Sequence, residues 1–330
     1  MASIRQRQGK WQARVSRQGF PPETKTFATK AEAEVWARSV EAGIDKGTHQ
    51  SRNSLEAVTV AEVLHRYGEE VSPLKKGAKA EAIRLAAVAR SKLGKYSLAN
   101  LTPAVMAQWR DERLKRVKAG TVIRDLAVLS SIFNHCRREW GYPFLNPVEQ
   151  IRKPQMPSGR DRVLSPAEEE ALLNEAHPVG RRSPWLHPLI VLALETGMRR
   201  GELLSLKWEN VNPAKRTALL PDTKNGSKRI VPLSTKALDT LKGLRSLSSH
   251  DGVIFPISVP ALHLRWKAAC KRAGIKDLHF HDLRHTAITR MADKLPNVIE
   301  LSAVTGHKNL QMLKRYYHPS AEALAIKLSS

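Results

Sequence analysis

Leu194-Glu195-Thr196-Gly197-Met198-Arg199-Arg200-Gly201-Glu202-Leu203-Leu204 joins two helical patterns across a glycine. Gly197 is placed to end the first helix and Arg199 to begin the second. A guanidinium at a helix start adds its fork of donors to the backbone N–H groups, which suits a phosphate oxygen. Taken alone, an Arg-Arg-Gly-Glu string is usually a helix start carrying a surface ion pair. What lies on either side decides its meaning.

Downstream, Thr217–Leu220 and Arg229–Leu233 read as strands flanking a turn with Asn225-Gly226, a strong hairpin signal. Lys224 sits at its tip. A lysine there can reach into a minor groove or protonate a leaving oxygen, although most turn lysines are simply solvated. His281-Asp282-Leu283-Arg284-His285 follows a strand-like Leu278–Phe280 and opens a helix. His281 and Arg284 are three apart and share a helix face, so imidazole and guanidinium can converge on one phosphate. Zinc is the rival reading for His279, His281 and His285, but no further ligand with recognisable spacing accompanies them. Last come Gly306-His307 and, after Met312-Leu313-Lys314-Arg315, the pair Tyr316-Tyr317 and His318. Adjacent tyrosines after a helix usually pack; a phenol becomes a competent nucleophile when a phosphate is already activated electrostatically.

Upstream, Ser165-Pro166 and Glu168 mark a helix start, and Asn146–Val163 reads as a linker rich in proline and in Arg152, Lys153, Arg160 and Arg162. Such a segment can run along a phosphate backbone, which is the expectation taken here. Val58–Val148 reads as about four helices. Thr59 and Glu62 have capping-box spacing, Thr102-Pro103 supplies an N-cap with proline at the first helical position, and Ala119–Trp140 is a long amphipathic run. Before it, Lys10–Ser16 alternates like a half-buried strand. Gly19 and Pro21-Pro22 break the chain ahead of a second run, Thr24–Phe27, and a helix begins at Thr29. A small sheet exposing Arg5, Arg7, Arg14 and Arg17 could lie in a DNA groove.

The 330 residues carry 55 Lys plus Arg against 31 Asp plus Glu, a net charge of +24 spread along the whole chain. That argues for a folded surface meeting a polyanion, with nucleic acid preferred to anionic lipid because no basic amphipathic helix with exposed aromatics is evident. Leu186–Leu194 is the longest apolar stretch, far too short to span a bilayer, and Met1–Gly19 lacks the apolar core of a signal peptide, so a cytoplasmic protein is expected. Cys136 and Cys270 lie far apart, which favours two buried thiols over a disulfide or metal site. No P-loop pattern is present.

Taken together and in order, Thr-Gly-Met-Arg-x-Gly-Glu, a hairpin lysine before Arg229-Ile230-Val231-Pro232-Leu233, His-x-Leu-Arg-His, and Gly-His followed nine residues later by tyrosine resemble the tyrosine recombinase (phage integrase) family. The match is close over Ser165–His318. Some features also resemble the shufflon-type DNA invertases. The resemblance implies a mainly α multidomain protein: an arm-type-like DNA-binding domain of sheet plus helix at 1–50, a helical core-site DNA-binding domain at 58–148, a basic linker at 149–163, and an α-rich catalytic domain with a small hairpin at 164–330.

It also implies roles. Arg199 and Arg284 would grip the non-bridging oxygens of the scissile phosphate. His281 would complete that clamp and accept the tyrosine proton, and His307 would bind the phosphate or pack the site. Lys224 would protonate the departing 5′-hydroxyl. Tyr316, chosen over Tyr317 because it lies nine residues after His307 and in a Tyr-x-His ending at His318, would form a 3′-phosphotyrosine. No cofactor or metal is implied. The partners implied are double-stranded DNA recombination sites, a homotetramer joining two of them, and accessory DNA-bending proteins. A terminal segment with Leu324, Ile326 and Leu328 would dock on a neighbouring protomer. Integration or excision of a phage or mobile element is the expected activity, with shufflon-type inversion as the alternative. A regulator without catalysis would lack site members, a metal-dependent nuclease would show clustered carboxylates, and a type IB topoisomerase would not need a separate arm-like domain.

Overall fold

A computed structural model of the chain describes residues 2–45, 55–221, 228–247 and 252–317, together with Ala325, Leu328 and Ser329. Lys224, the Asn225-Gly226 turn, His318, Leu324 and Ile326 lie outside the described residues. The chain divides into two compact units, Met1–Ser158 and Gly159–Ser330.

The first unit begins with a three-stranded antiparallel sheet, β1 (Ala2–Arg7), β2 (Lys10–Arg17) and β3 (Phe20–Phe27), in the order β1-β2-β3. Its register puts Ala2, Ile4, Trp11, Ala13, Val15 and Phe27 on one face, where they pack on helix α1 (Lys30–Asp45) through Ala33, Ala37 and Val40. Thr29 and Glu32 make a capping box at the start of α1. Arg5, Arg7 and Arg14 stand exposed on the opposite face with Lys10 and Thr24. Arg17 leaves that row: the register shifts between Val15 and Arg17, and Arg17 pairs with Asp45 of α1 at 2.8 Å.

Two expectations about the sheet need correction. It has three strands where two were read, and β3 runs through Pro21-Pro22 instead of starting after them. Strand β3 is an edge, and the prolines fall at the register shift, where ladder donors are not required.

Next come the α-helices α2 (Val60–Glu70), α3 (Ala78–Ala89), α4 (Pro103–Leu114) and α5 (Ala119–Arg138). The Thr59–Glu62 capping box and the Thr102 cap form as their spacing suggests. Val122, Leu126, Leu129, Ile132, Phe133 and Cys136 form the buried stripe of α5. Asp125 is buried on the same helix, between Arg84 at 3.0 Å and Arg113 at 3.1 Å.

In the second unit, α6 (Pro166–Ala176) starts at a Ser165–Glu168 capping box. Helix α7 (Leu186–Thr196) is buried nearly all round, which is why its sequence lacks amphipathic periodicity. Helix α8 (Arg200–Leu204) and the antiparallel strands β4 (Val211–Asn212), β5 (Thr217–Leu220) and β6 (Arg229–Pro232) come next. Helices α9 (Thr235–Leu244), α10 (Val259–Arg272), α11 (Asp282–Lys294) and α12 (Val298–Thr305) follow. Helix α7 packs on α9 and α11. Leu278–Phe280 is not a strand but an irregular approach to α11, pinned where the Trp266 indole donates to the Leu278 carbonyl at 3.1 Å. Both cysteines are free and buried, and burial pushes their thiols up, Cys136 to about 12 and Cys270 to about 11. Among the described residues no helix is long and apolar enough to cross a membrane.

Candidate functional site

Gly197 caps α7 in the left-handed conformation (φ 60°, ψ 17°), a region that costs other residues about 1–2 kcal/mol. The turn delivers Arg199 to the N-cap of α8 in an extended conformation. Glu202, in the first turn of α8, reaches back to the Arg199 backbone N–H and to its guanidinium, both at 2.8 Å. The other donor to this buried carboxylate is Arg229 of β6, at 2.6 Å. Glu202 therefore orients two cations at once.

Three chain segments meet at the Thr305 carbonyl, which accepts from Arg229 and, at 2.8 Å, from Arg284 of α11. Arg284 also donates to the Gly197 carbonyl, so the turn that aims Arg199 and the end of α12 are held by one side chain. Arg284 is 3% exposed. Burial, followed by the charge of Arg199, lowers its guanidinium to about 10. Arg229 is lowered too, chiefly by burial.

Helix α12 ends at Gly306 (φ 69°), and His307 follows. A β-carbon at Gly306 would lie 2.9 Å from Arg229 Cδ and 3.0 Å from its Cζ, so glycine is required by space as well as by φ. Thr305 Oγ1 is 2.7 Å from the Leu301 carbonyl and 2.8 Å from His307 Nδ1. The hydroxyl has one hydrogen, and a carbonyl can only accept, so Nδ1 of His307 is the donor and Nε2 carries the lone pair. Burial, then Arg284, Arg199 and Arg229, lower His307 to about 4.

Helix α11 begins at His281 as N-cap, with Asp282 next. The buried Asp282 carboxylate accepts from the His279 N–H and from Arg160 Nε, each at 2.8 Å. His281 is exposed, and its imidazole is lowered by the protein packed about it and then by Arg284. One turn on, the His285 ring stands edge-on to His281 with centroids 5.3 Å apart. Beside Arg199 and His281 opens a cleft of ≈990 Å³, with buried Trp266 and Phe280 in its wall and exposed Lys267 and Lys271 along it.

Tyr316 ends a short 3₁₀ turn anchored by Leu313, which is fully buried against Ile288, Ala292 and Leu301. The Tyr316 hydroxyl lies 2.6 Å from His285 Nδ1, and the Arg315 guanidinium sits 5.7 Å from the Tyr316 ring centroid. Burial raises the phenol, while Arg315 and Arg284 pull it back. Tyr317 faces elsewhere: its hydroxyl donates to the Leu295 carbonyl at 2.7 Å.

Of the residues marked in the sequence, Arg284 and His307 thus meet at Thr305 and Arg199 is joined to them through Glu202 and Arg229, with His281 beginning the helix that carries Arg284 and Tyr316 against the same helix. Glu202 and Arg229 were not singled out, and His285 was weighed only as a metal ligand. Their signals were present: Glu202 and His285 lie inside the quoted motifs, and Arg229 alternates in phase with inward-facing Val231. Two of the linker arginines are already engaged by the protein. Arg160 is bound to Asp282 and Asp277, and Arg162 to Glu168, so both guanidiniums are held by protein carboxylates. Arg162, with the Ser165 backbone, holds Glu168 down at about 2.

The phage integrase family model matches residues 162–323. A shufflon-specific DNA recombinase of Escherichia coli is 39% identical over 282 residues, 83% of this chain and 72% of that protein. An integrase/recombinase of Haemophilus influenzae, itself assigned by inference, is 33% identical over 328 residues, 96% of this chain and 87% of that one. Among solved structures, a lambda integrase dimer bound to a core site superposes with a TM-score of 0.66 at 22% identity, covering 96% of this chain and 93% of the other. The Tn1549 transposon integrase in complex with circular intermediate DNA gives 0.70 at 16% identity, covering 83% and 99%. The chain belongs to the phage integrase family and is a site-specific tyrosine recombinase.

Proposed function

We propose that Tyr316 is the nucleophile of strand cleavage, with Arg199, Arg284, His281 and His307 binding the scissile phosphate and Lys224 protonating the leaving 5′-oxygen. The observation that carries this reading is the contrast between two neighbours. Tyr316 turns its hydroxyl to the helix bearing Arg284 and His281, whereas the Tyr317 hydroxyl is spent on a backbone carbonyl. Attack forms an Oη–P bond and breaks P–O5′, leaving a 3′-phosphotyrosine and a 5′-hydroxyl. Energy kept in that ester allows a second 5′-hydroxyl to reverse the step. Fixed cations stabilise the developing phosphorane charge without reorganising as it forms.

The substrate is double-stranded DNA, held by the helical bundle at 58–148 and the catalytic unit, and the exposed Arg5, Arg7 and Arg14 face of the sheet reads a separate arm-type segment. Phosphate neutralisation supplies most of the affinity, which therefore falls steeply with salt. Two sites come together in a homotetramer with accessory DNA-bending proteins, in the cytoplasm at the nucleoid. The solved lambda integrase tetramer bound to a Holliday junction supports that assembly for a chain of this fold. Integration or excision of a mobile element is one outcome. The 39% identity to a shufflon-specific recombinase, against 27% to the integrase of Salmonella phage P22, favours inversion between two sites on one molecule.

The test uses a duplex selected from a random-sequence library by the full-length Tyr316→Phe protein, then nicked to trap cleavage. Wild type and Tyr317→Phe should form a denaturant-resistant protein–DNA adduct without added metal or ATP, and Tyr316→Phe should not. An adduct in Tyr316→Phe, or its loss in Tyr317→Phe alone, overturns the assignment.

A further inference from the structure

Whatever residue attacks a phosphodiester as a phenol must lose its proton, and the residue in contact with the Tyr316 hydroxyl is His285. The separation of 2.6 Å between Oη and Nδ1 is a short hydrogen bond, within direct proton-transfer reach. The rings lie 29° from parallel with centroids 6.0 Å apart, and Nδ1 is the ring nitrogen that meets the phenol oxygen. Among the described residues no hydrogen bond joins His281 to Tyr316. His281 instead stands beyond His285, its ring edge-on to it.

Which atom holds the shared proton follows from acidity. A phenol is a far stronger acid than a neutral imidazole N–H, so the phenol donates and Nδ1 accepts through its lone pair. Burial and the neighbouring His281 and Arg315 lower His285 to about 4, which leaves the ring neutral and able to accept at neutral pH. That same shift makes His285 a weak base in the resting site. The dianionic phosphorane reverses this, because negative charge beside the ring favours the imidazolium. Proton transfer thus becomes favourable as the Oη–P bond forms.

We propose that His285 is the general base of the cleavage step, accepting the Tyr316 proton directly, while His281 acts on the phosphate. This rests on the reading of Tyr316 as nucleophile. The balance closes: Oη–P forms, P–O5′ breaks, the Oη proton passes to His285 Nδ1, and Lys224 supplies the proton of the new 5′-hydroxyl. In the rejoining step the incoming 5′-hydroxyl returns a proton to Lys224 and attacks phosphorus. The departing phenolate then recovers its proton from the His285 imidazolium.

The base role makes a prediction that a structural role does not. If His285 exists to remove a proton, a more acidic phenol needs it less. Full-length protein would carry tyrosine or 2,3,5-trifluorotyrosine at position 316, and single-turnover adduct formation would be followed on the selected nicked duplex. His285→Ala with tyrosine should be slower by about 10²- to 10⁴-fold, with binding of the duplex retained. Trifluorotyrosine should restore about tenfold or more of that loss, while altering the wild-type rate much less. His281→Ala should also be slow but should not be rescued.

Wild-type speed in His285→Ala, an equal deficit with both phenols, or rescue of His281→Ala in place of His285→Ala would each overturn the proposal. Should His285→Ala fail to fold, His285→Asn, which keeps a polar group of similar size without basicity, carries the same comparison. Tyr316→Phe run alongside separates the two failures. An adduct there defeats the nucleophile assignment, whereas no adduct there with full activity in His285→Ala defeats only the base.

Discussion

Gly306→Ala tests whether the site is braced as one unit. The added methyl meets two separate penalties. A left-handed φ of 69° costs a non-glycine residue about 1–2 kcal/mol. The β-carbon would also sit 2.9 Å from Arg229 Cδ, an overpacking that costs about 1–3 kcal/mol. Gly306→Ala should therefore lose about 2–5 kcal/mol, measured by urea unfolding at neutral pH and constant salt. Arg229→Ala by itself should cost about 3 kcal/mol, since it strips one of two cations from the buried Glu202, with Arg199 still present to limit the damage. The two penalties at Gly306 separate in the double variant. Without the Arg229 side chain the clash disappears and only the backbone strain remains, so the changes should fall short of additivity by about 1–3 kcal/mol. Additivity to within about 0.5 kcal/mol would refute the argument that Arg229 dictates glycine at this position.

Tyr317→Phe removes the hydrogen bond to the Leu295 carbonyl and should lower stability by about 1 kcal/mol in the same denaturation assay, without slowing adduct formation. Arg160→Ala releases Asp282 at the start of α11, and its backbone carbonyl also receives Arg315 at 2.6 Å. Adduct formation should slow by about tenfold or more while DNA affinity changes by less than about twofold; parallel loss of both would mark Arg160 as a DNA contact instead. Stability should also fall on acidification. His285 and His307 are lowered to about 4 from the usual 6.5, so their contribution is complete above pH 6.5 and is lost as pH falls toward 4, where the unfolded chain binds protons that the folded one refuses. Both rings are part-exposed, so solvent screening trims this to about 1–2 kcal/mol each. Thermal denaturation between pH 7 and 4 measures it, and a flat profile after His285→Asn and His307→Asn would attribute it to these rings.

Local signals were legible where one physical cause dominates. Capping boxes at Thr29, Thr59 and Ser165 formed because their donors and acceptors lie within one turn. The break at Gly197 was legible for the same reason: a C-cap needs only its own φ. What failed depended on a partner far along the chain. Pro21-Pro22 look like a strand break until β3 is seen to be an edge with its register shift at that point. Arg160 and Arg162 look like free linker cations until Asp282, 122 residues away, and Glu168 arrive beside them. Leu278–Phe280 alternates like a strand, but among the described residues no strand lies alongside, and it packs on Trp266 of α10. The distinction between Tyr316 and Tyr317 is of this kind too. Spacing chose the first, while the physical difference lies in Leu295 and His285, which spacing does not encode.

The distribution of charge explains why the site stays poised before DNA arrives. Arg199, Arg229 and Arg284 cluster around one buried carboxylate, Glu202, leaving an uncompensated positive field. That field has two visible effects in the free protein. It adds to burial in lowering Arg284 to about 10, and likewise adds to burial in lowering His281 and His307. On the proposed reading, an entering phosphate would supply the missing negative charge and reverse both. The guanidiniums regain their full affinity for a proton, and the histidines move toward protonation. His307 is then able to donate from Nε2, where the free protein holds only a lone pair. Binding of a DNA phosphate should therefore take up protons near pH 6, detectable as a dependence of binding enthalpy on the ionisation heat of the buffer. Without linked uptake, the cations would be acting on the phosphate alone, with no change in the histidines beside it.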